Sequence, residues 1–463
     1  MALSAVLLFV SLVLMASAAI TLWWMMHAWR TPETLEATAF AEPDGEHRLS
    51  FSLLVPARHE EAVLAHTVER MLRIDHPDFE IVVIVGHDDP GTAAIAHRLA
   101  TVHPDRVKVV TDHHERKNKP RAMNTALPHC RGEIIGVFDA EDIVHPELLT
   151  HVDFAFHRDE GDGRRTDVVQ GGVQLMNYES SWYALRNCLE YFFWFRSRLH
   201  LHARKGFIPL GGNTVFVRAD LLRATGGWDG DCLAEDCDLG VRLSSGGAKV
   251  QVAYHAALVT REETPGSLVA LYKQRTRWNQ GFLQVLRKGE WRRLPGFGQR
   301  VLARYTLTTP FLQAFSGVAV PIGAGVAVAG GIPLPAALFA WLPVLPMAAM
   351  MAFECAALHD FGRQYGVRIR LRHYAQLVLG TPVYSLVLGA AAVRAVWREY
   401  TGRNDWELTS HVGAHLHSAE PEASEPKGRA AVVRESARRP RGTSGRARST
   451  VDRGHPRPKA GGG

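Results

Sequence analysis

The stretch Ile134-Ile135-Gly136-Val137-Phe138-Asp139-Ala140-Glu141-Asp142 sets five largely apolar residues directly against three carboxylates. An apolar run this short, with no polar alternation, reads as a strand buried on both faces. Working outward, Phe51-Ser52-Leu53-Leu54-Val55-Pro56 has the same signature and is followed by a helical pattern from Glu60 to Leu72. Ile81 to Val85 is a second such strand, ending in Gly86-His87-Asp88-Asp89-Pro90-Gly91; a helix over Thr92–Val102 and a strand over Val107–Val110 follow. After a basic loop comes a short helix near Ala122–Leu127, which leads into the quoted strand. Strands apolar throughout and alternating with helices predict an α/β domain whose parallel sheet is covered on both faces. Ligands of such sheets sit at the carboxyl ends of the strands, so the polar residues after strands one, two and four are the candidates for chemistry.

Three carboxylates at a strand end are costly unless something positive neutralises them. A hard divalent cation that also grips a diphosphate is the natural partner; a helix cap at Asp142 would account for one of the three. Lys119-Pro120-Arg121-Ala122-Met123-Asn124 puts cations on the same sheet edge, where they can pair with phosphate oxygens. Pro56-Ala57-Arg58-His59-Glu60 and Asp88/Asp89 offer groups that could hold a base and ribose. In the second half, Gly211-Gly212-Asn213-Thr214 predicts a close backbone approach, and Glu235-Asp236-Cys237-Asp238-Leu239-Gly240 supplies carboxylates for general-base work. Gln274-Arg275-Thr276-Arg277-Trp278 offers an indole platform for a sugar ring beside amide and guanidinium donors.

The 463 residues are 46% apolar, unevenly spread. Stretches of about 20 apolar residues can cross a bilayer, and four candidates stand out: Ala2–Met26, Leu307–Gly330, Leu334–Leu358 and Tyr374–Trp397. Ala16-Ser17-Ala18 resembles a cleavage site, but no Lys or Arg precedes the first run and it continues through Trp23-Trp24, so an uncleaved anchor is expected. Arg30 after that span places the following domain in the cytoplasm. Prolines at 333, 335, 343 and 346 leave the third tract open between a crossing and a re-entrant hairpin, and with it the side on which the tail lies. The net charge of +6 equals the excess of 11 Lys/Arg over 5 Asp/Glu from Ser418 onward, so the remainder is balanced and a nucleic-acid-binding core is excluded. The tail reads as disordered, with anionic lipid headgroups as its one candidate contact. Five cysteines without a Cys-x-x-Cys pair suggest reduced thiols, and His113, His114, His200 and His202 read as surface residues. The aromatic stretch Trp182–His202 reads either as a helix packed under the sheet or as one lying on the inner leaflet.

Taken together, Lys-x-x-Ala-Met-Asn, Asp-Ala-Glu-Asp, Gly-Gly-Asn-Thr, Glu-Asp-x-Asp-Leu-Gly and Gln-x-x-Arg-Trp, in this order, resemble the membrane-bound family-2 glycosyltransferases, such as the cellulose, hyaluronan and poly-N-acetylglucosamine synthases. The resemblance covers Phe51 to Gln284. It implies a GT-A (Rossmann-like) α/β domain with flanking transmembrane helices, and inverting transfer from a nucleotide sugar, a UDP-sugar, to a growing polysaccharide. Asp88 and Glu60 would hold the uridine, with Lys119 near the diphosphate. Asp139 and Glu141 would hold Mg2+ or Mn2+, Asp139 also facing the donor. Asp236 would be the general base, with Glu235, Gln274, Arg277 and Trp278 binding the pyrophosphate and acceptor sugar. Two departures matter: Glu141 stands where relatives carry Asp, which keeps Asp142 open as the ligand, and Gly-His-Asp-Asp leaves the choice of Asp88 over Asp89 open. Expected boundaries are 1–29 anchor, 30–49 linker, 50–290 transferase domain, 291–304 interfacial segment, 305–397 membrane region and 398–463 tail, in a multi-pass plasma-membrane protein with export partners. The competing readings are a single-sugar transferase acting on a lipid-linked acceptor and an inactive glycan-binding or export scaffold.

Overall fold

In strand β1 (Phe51–Ala57), Phe51, Leu53 and Val55 pack into one hydrophobic cluster while Leu54 joins a second. Two-residue alternation sends neighbouring side chains to opposite faces, so an apolar strand needs cover on both sides. The computed structural model describes residues 2–30, 46–157, 165–329 and 342–407. β1 lies between β2 (Phe79–Gly86) and β4 (Ile134–Val137), parallel to both, and β3 (Val107–Asp112) extends the parallel half beyond β2. β7 (Val215–Arg218) then runs antiparallel to β4 and to β5 (Val168–Gly171), and β8 (Val250–Ala253) closes the order β3-β2-β1-β4-β7-β5-β8. A two-stranded ribbon of β6 (Val173–Leu175) and β9 (Thr260–Glu262) stands beside it. The doubly covered parallel half agrees with the sequence reading. The half of the sheet beyond β4 comes from strands of four residues that no pattern had marked.

Helices flank the sheet. α1 (Ala2–Arg30) comes first; α2 (Leu64–Met71), α3 (Pro90–Val102), α4 (Lys119–Ala126) and α5 (Leu148–His157) belong to the parallel half. α4 begins three residues earlier than expected, because the Asn118 side chain caps it by accepting from Arg121 N–H at 3.0 Å, and Pro120 fits its first turn. The aromatic stretch forms α6 (Ala184–Phe193), a π-helical turn over Trp194–Arg198 and α7 (Leu199–Arg204). Leu185, Leu189 and Phe192 of α6 pack against Ala357, Leu358, Phe361 and Leu377, so this segment wedges between the sheet domain and the C-terminal helices. His200 and His202, expected at the surface, are buried instead: α7 turns them inward, His202 against Trp24, Trp194 and Phe207.

α8 (Ala219–Ala224), α9 (Glu235–Ser245) and α10 (Leu268–Lys288) complete the domain. α11 (Phe297–Ala329), α12 (Val344–Tyr365) and α13 (Leu371–Tyr400) follow. Among the described residues three helices are long and apolar enough to cross a membrane: Leu8–Met26 within α1, α12 and α13. The second expected tract lies in α11, whose first turns carry Arg300 and Arg304; its helix starts inside the segment expected to be interfacial. The start of the third tract and the tail beyond Glu407 lie outside the described residues.

Candidate active site

β4 delivers Asp139 to the sheet edge. The Asp139 N–H donates to Asp142 Oδ2 at 2.7 Å, and the other Asp142 oxygen accepts from Asn213 Nδ2 at 2.8 Å. Asn213 also donates to Glu262, which locks the Gly211–Thr214 turn onto β4 and β9. Thr214 holds a left-handed φ of 51° in that turn, its hydroxyl donating to Thr260 at 2.7 Å. Asp142 is thus a buried brace with both oxygens engaged, while Asp139 and Glu141 are the members of the triad that line the cavity. Burial, then Glu262 and Asp139, raises Asp142 well above the usual carboxylate range. Burial raises Glu141 likewise, followed by repulsion from Glu262, Asp139, Glu263 and Glu60. Carboxylates so crowded resist joint ionisation until a cation joins them.

Lys119 answers part of that charge. On the first turn of α4, its Nζ donates to Asp139 Oδ1 at 2.5 Å and to the Gly212 carbonyl at 2.7 Å. Burial works against its charge, but Asp139 and Glu235 outweigh it and hold the ammonium above its usual value. Asp139 Oδ2 has no partner among the described residues, and Asp139 is the more open of the pair. A divalent cation that needs one or two carboxylates and takes its remaining ligands from a diphosphate fits this all-oxygen set. The two clusters with three converging ligand atoms among the described residues are elsewhere, and both are structural. Asp153 accepts from the Arg48 and Leu49 N–H groups beside His76, and Asp89 caps α3 by accepting from Thr92 N–H at 3.2 Å.

The facing wall of the cavity is built by helix termini. Glu235 and Asp236 open α9, where the exposed N–H groups favour negative charge. Gly281 of α10 packs so tightly on the residue before them that an added Cβ would stand 2.4 Å from Ala234 N and Cβ. That contact sets Gln274, Arg277 and Trp278 facing the two carboxylates across one cavity. Burial, then Asp236, pushes Glu235 up to about 7; burial also raises Asp236, against the pull of Lys119 and Arg277. Glu235 is buried while Asp236 is partly open, so Asp236 is the carboxylate a substrate can reach. Arg277 lies over the Trp406 ring, 4.3 Å from its centroid, and forms no ion pair within 4 Å among the described residues. Arg275 serves the scaffold instead, donating to Asn187 and Glu190 at 2.5 Å each while stacking on Trp278.

The cavity, about 1090 Å³, collects Glu60, Lys119, Asp139, Glu141, Glu235, Asp236, Gln274, Arg277 and Trp278. Asp88 does not reach its wall: it is exposed and pairs at 2.7 Å with Arg58, whose side chain does line it. Asp112 and Lys117 line it too and were missed, although Asp112 ends β3 and the strand-end rule could have included it. Trp406 was also missed, because nothing local ties it to Arg277. Beyond these residues the cavity continues between the helices, past Ser17, Thr21, Thr306, Met347 and Met351.

A doubly covered sheet with acids at its strand ends and a Gln-x-x-Arg-Trp helix defines a nucleotide-sugar-type transferase domain. The family model described as glycosyltransferase like family 2 matches residues 47–281, just over half of the chain, and the chain belongs to that family. Among curated relatives, the beta-monoglucosyldiacylglycerol synthase of Nostoc sp. is 31% identical over 240 residues, 50% of this chain and 49% of the relative. A poly-beta-1,6-N-acetyl-D-glucosamine synthase of Staphylococcus epidermidis is 22% identical over 248 residues, 52% of this chain and 56% of the relative. The chain thus spans about half the length of the curated relatives it matches. The mannosyltransferase of Pyrobaculum calidifontis, solved with GDP-Man and Mn2+, superposes with a TM-score of 0.56 at 19% identity, covering 86% of this chain and 99% of that one, and it shares the fold.

Proposed function

We propose that this protein transfers a sugar, with inversion, from a nucleoside-diphosphate sugar to a hydroxyl of an acceptor presented at the membrane. What carries this reading is the single cavity in which Lys119, Asp139 and Arg277 face Asp236, and which then runs on between apolar helices. Asp236 accepts the proton of the attacking hydroxyl, and Glu235 beside it sets the charge of the pair. Lys119 and Arg277 bind the diphosphate and meet the charge that develops on the departing nucleotide. Mg2+ or Mn2+ held by Asp139 and Glu141 would supply further neutralisation of that diphosphate. Trp278 gives the acceptor sugar a flat face, and Glu60 with Arg58 borders the nucleoside end. Residues 50–290 are the transferase domain, on the cytoplasmic side, between an N-terminal anchor over 1–29 and a membrane region over 305–397.

The run of the cavity between α1, α11 and α12 favours an acceptor borne on a lipid. A growing polysaccharide is the second reading, favoured by the Gln274, Arg277 and Trp278 set that lines the acceptor side. A donor screen on membranes holding the full chain tests both, starting from UDP-sugars. Asp236→Asn should abolish transfer while nucleotide still binds, chelation should stop the reaction and Mn2+ restore it. Products bearing one sugar identify the lipid acceptor, and a ladder identifies polymerisation. Full transfer by the Asp236→Asn enzyme would overturn the assignment of the base.

A further inference from the structure

Of the four arginines on the helical segment between β6 and β7, Arg186, Arg196, Arg198 and Arg204, the first two have carboxylate partners. Arg186 pairs with Glu354 at 2.5 Å and Arg196 with Asp360 at 3.2 Å. Arg198 has neither a carboxylate within 4 Å nor a hydrogen-bond acceptor among the described residues. It is held by aromatic faces, its guanidinium carbon 4.8 Å from the Trp24 ring and 5.6 Å from the Trp194 ring. Such contacts recover only part of what it costs to take a cation out of water. His202, one turn further along the helix, gives no competition: burial, then Arg198 itself, pushes it down to about 3, so that imidazole is neutral.

The backbone is arranged to put Arg198 there. Trp194–Arg198 is a π-helical turn, with Leu199 N–H bonding to the Trp194 carbonyl. The extra residue in the turn rotates α7 relative to α6, and isolated π turns gather at functional sites. Arg198 lines the cavity together with Ser17, Thr21 and Thr309 of the apolar helices, and it interacts with Tyr305. The hydroxyls nearby do not answer a cation's need for an anion: Thr21 donates to the Ser17 carbonyl at 3.1 Å and Thr309 to the Tyr305 carbonyl at 2.8 Å. A ligand that satisfies this place carries an anion for the guanidinium fork and hydrocarbon for the helix walls.

We infer that Arg198, clamped by Trp24 and Trp194, is a binding site for the phosphate of a membrane lipid at the mouth of the cavity. The inference rests on the membrane-embedded reading of α1 and α12 and is independent of which sugar is moved. Lys119 and Arg277, which serve the nucleotide, stand on other elements lining the same cavity, so the two anion sites are separable by mutation.

The test uses the full chain in an uncharged detergent, with bound lipid read by native mass spectrometry and by fluorescence of the flanking tryptophans. The probes are phosphatidylglycerol, diacylglycerol with the same chains, and inorganic phosphate. Wild type should prefer phosphatidylglycerol to diacylglycerol by about tenfold, as a charge-assisted hydrogen bond to phosphate provides. R198Q should erase that preference and R198K, which keeps the charge but not the fork, should retain part of it, with UDP affinity changed by less than about twofold, since both leave the nucleotide-binding residues intact. Undiminished phosphatidylglycerol preference in R198Q would overturn the site. So would inorganic phosphate binding as tightly as the lipid, which marks a free-anion site, or loss of UDP affinity in both R198Q and R198K, which marks a donor residue. Failure of transfer in the donor screen would count against the proposed reaction and leave this binding result standing.

Discussion

Glu235 and Asp236 are adjacent carboxylates in one buried helix terminus, and their protons are shared business. Burial and its neighbour push Glu235 up to about 7, and Asp236 is raised as well. A carboxyl whose folded value is raised keeps its proton as pH falls toward neutrality, so the pair is blocked as a base on the acid side. Transfer should therefore decline below about pH 7, and Glu235→Gln should move that limb to lower pH because it removes one of two interacting charges. A kcat/KM profile measured for both enzymes checks this; coincident limbs would show that Glu235 does not set the pair. The linkage runs the same way for stability: the contribution is complete below the ordinary carboxylate range and is lost as pH rises through about 7. At this scale the sequence revealed residues whose place at the cavity follows from position on a terminus. Asp139 ends a strand and Asp236 starts a helix, so both were legible with Lys119. Asp88 was not, because choosing between it and Asp89 requires knowing which one caps α3. Asp142 was ambiguous for the same reason until its two hydrogen bonds were seen.

Between elements, the decisive contact is α10 against the start of α9. Alanine normally improves an exposed helix position over glycine by about 1 kcal/mol. At Gly281 the sign reverses, since the new methyl would meet backbone and Cβ of Ala234 at 2.4 Å, and backbone cannot swing aside as a flexible side chain does. Overpacking of this kind costs about 1–3 kcal/mol. Gly281→Ala should therefore lower the melting temperature and, by backing Arg277 and Trp278 away from Asp236, reduce kcat more than donor binding. A stabilised and fully active variant would show that the helices can separate without cost. The glycine gave no signal in the sequence because its neighbour lies far away along the chain. The parallel strands were legible from their unbroken apolar runs. β5 to β9 were not, being three or four residues long and set in polar surroundings. The π turn was invisible too, since an extra residue in a helix leaves no mark on an aromatic-rich pattern.

Across the whole molecule, the last apolar helix reaches back to the cavity through the residues just beyond it. Arg398 donates to Gln280 at 2.9 Å, Arg394 grips Glu407 through two bonds of 2.6 and 2.9 Å, and Gln280 donates to the Arg403 carbonyl at 2.8 Å. This clasp lays Trp406 under Arg277, whose fork is then held toward Glu235 and Asp236 without an ion pair of its own among the described residues. The apolar helices are thereby tied to the cavity: the far end of the last one positions a cation at its wall. A cation–π contact in such a partly desolvated place is worth about 0.5–2 kcal/mol. Trp406→Ala should therefore lower kcat/KM by roughly threefold to thirtyfold, with little loss of stability because the clasp bonds remain. Trp406→Phe, which keeps an aromatic face, should recover most of the rate, and Arg277→Ala should make the Trp406 substitution nearly silent. Independent, additive losses in the double variant would show that the ring acts on something other than Arg277.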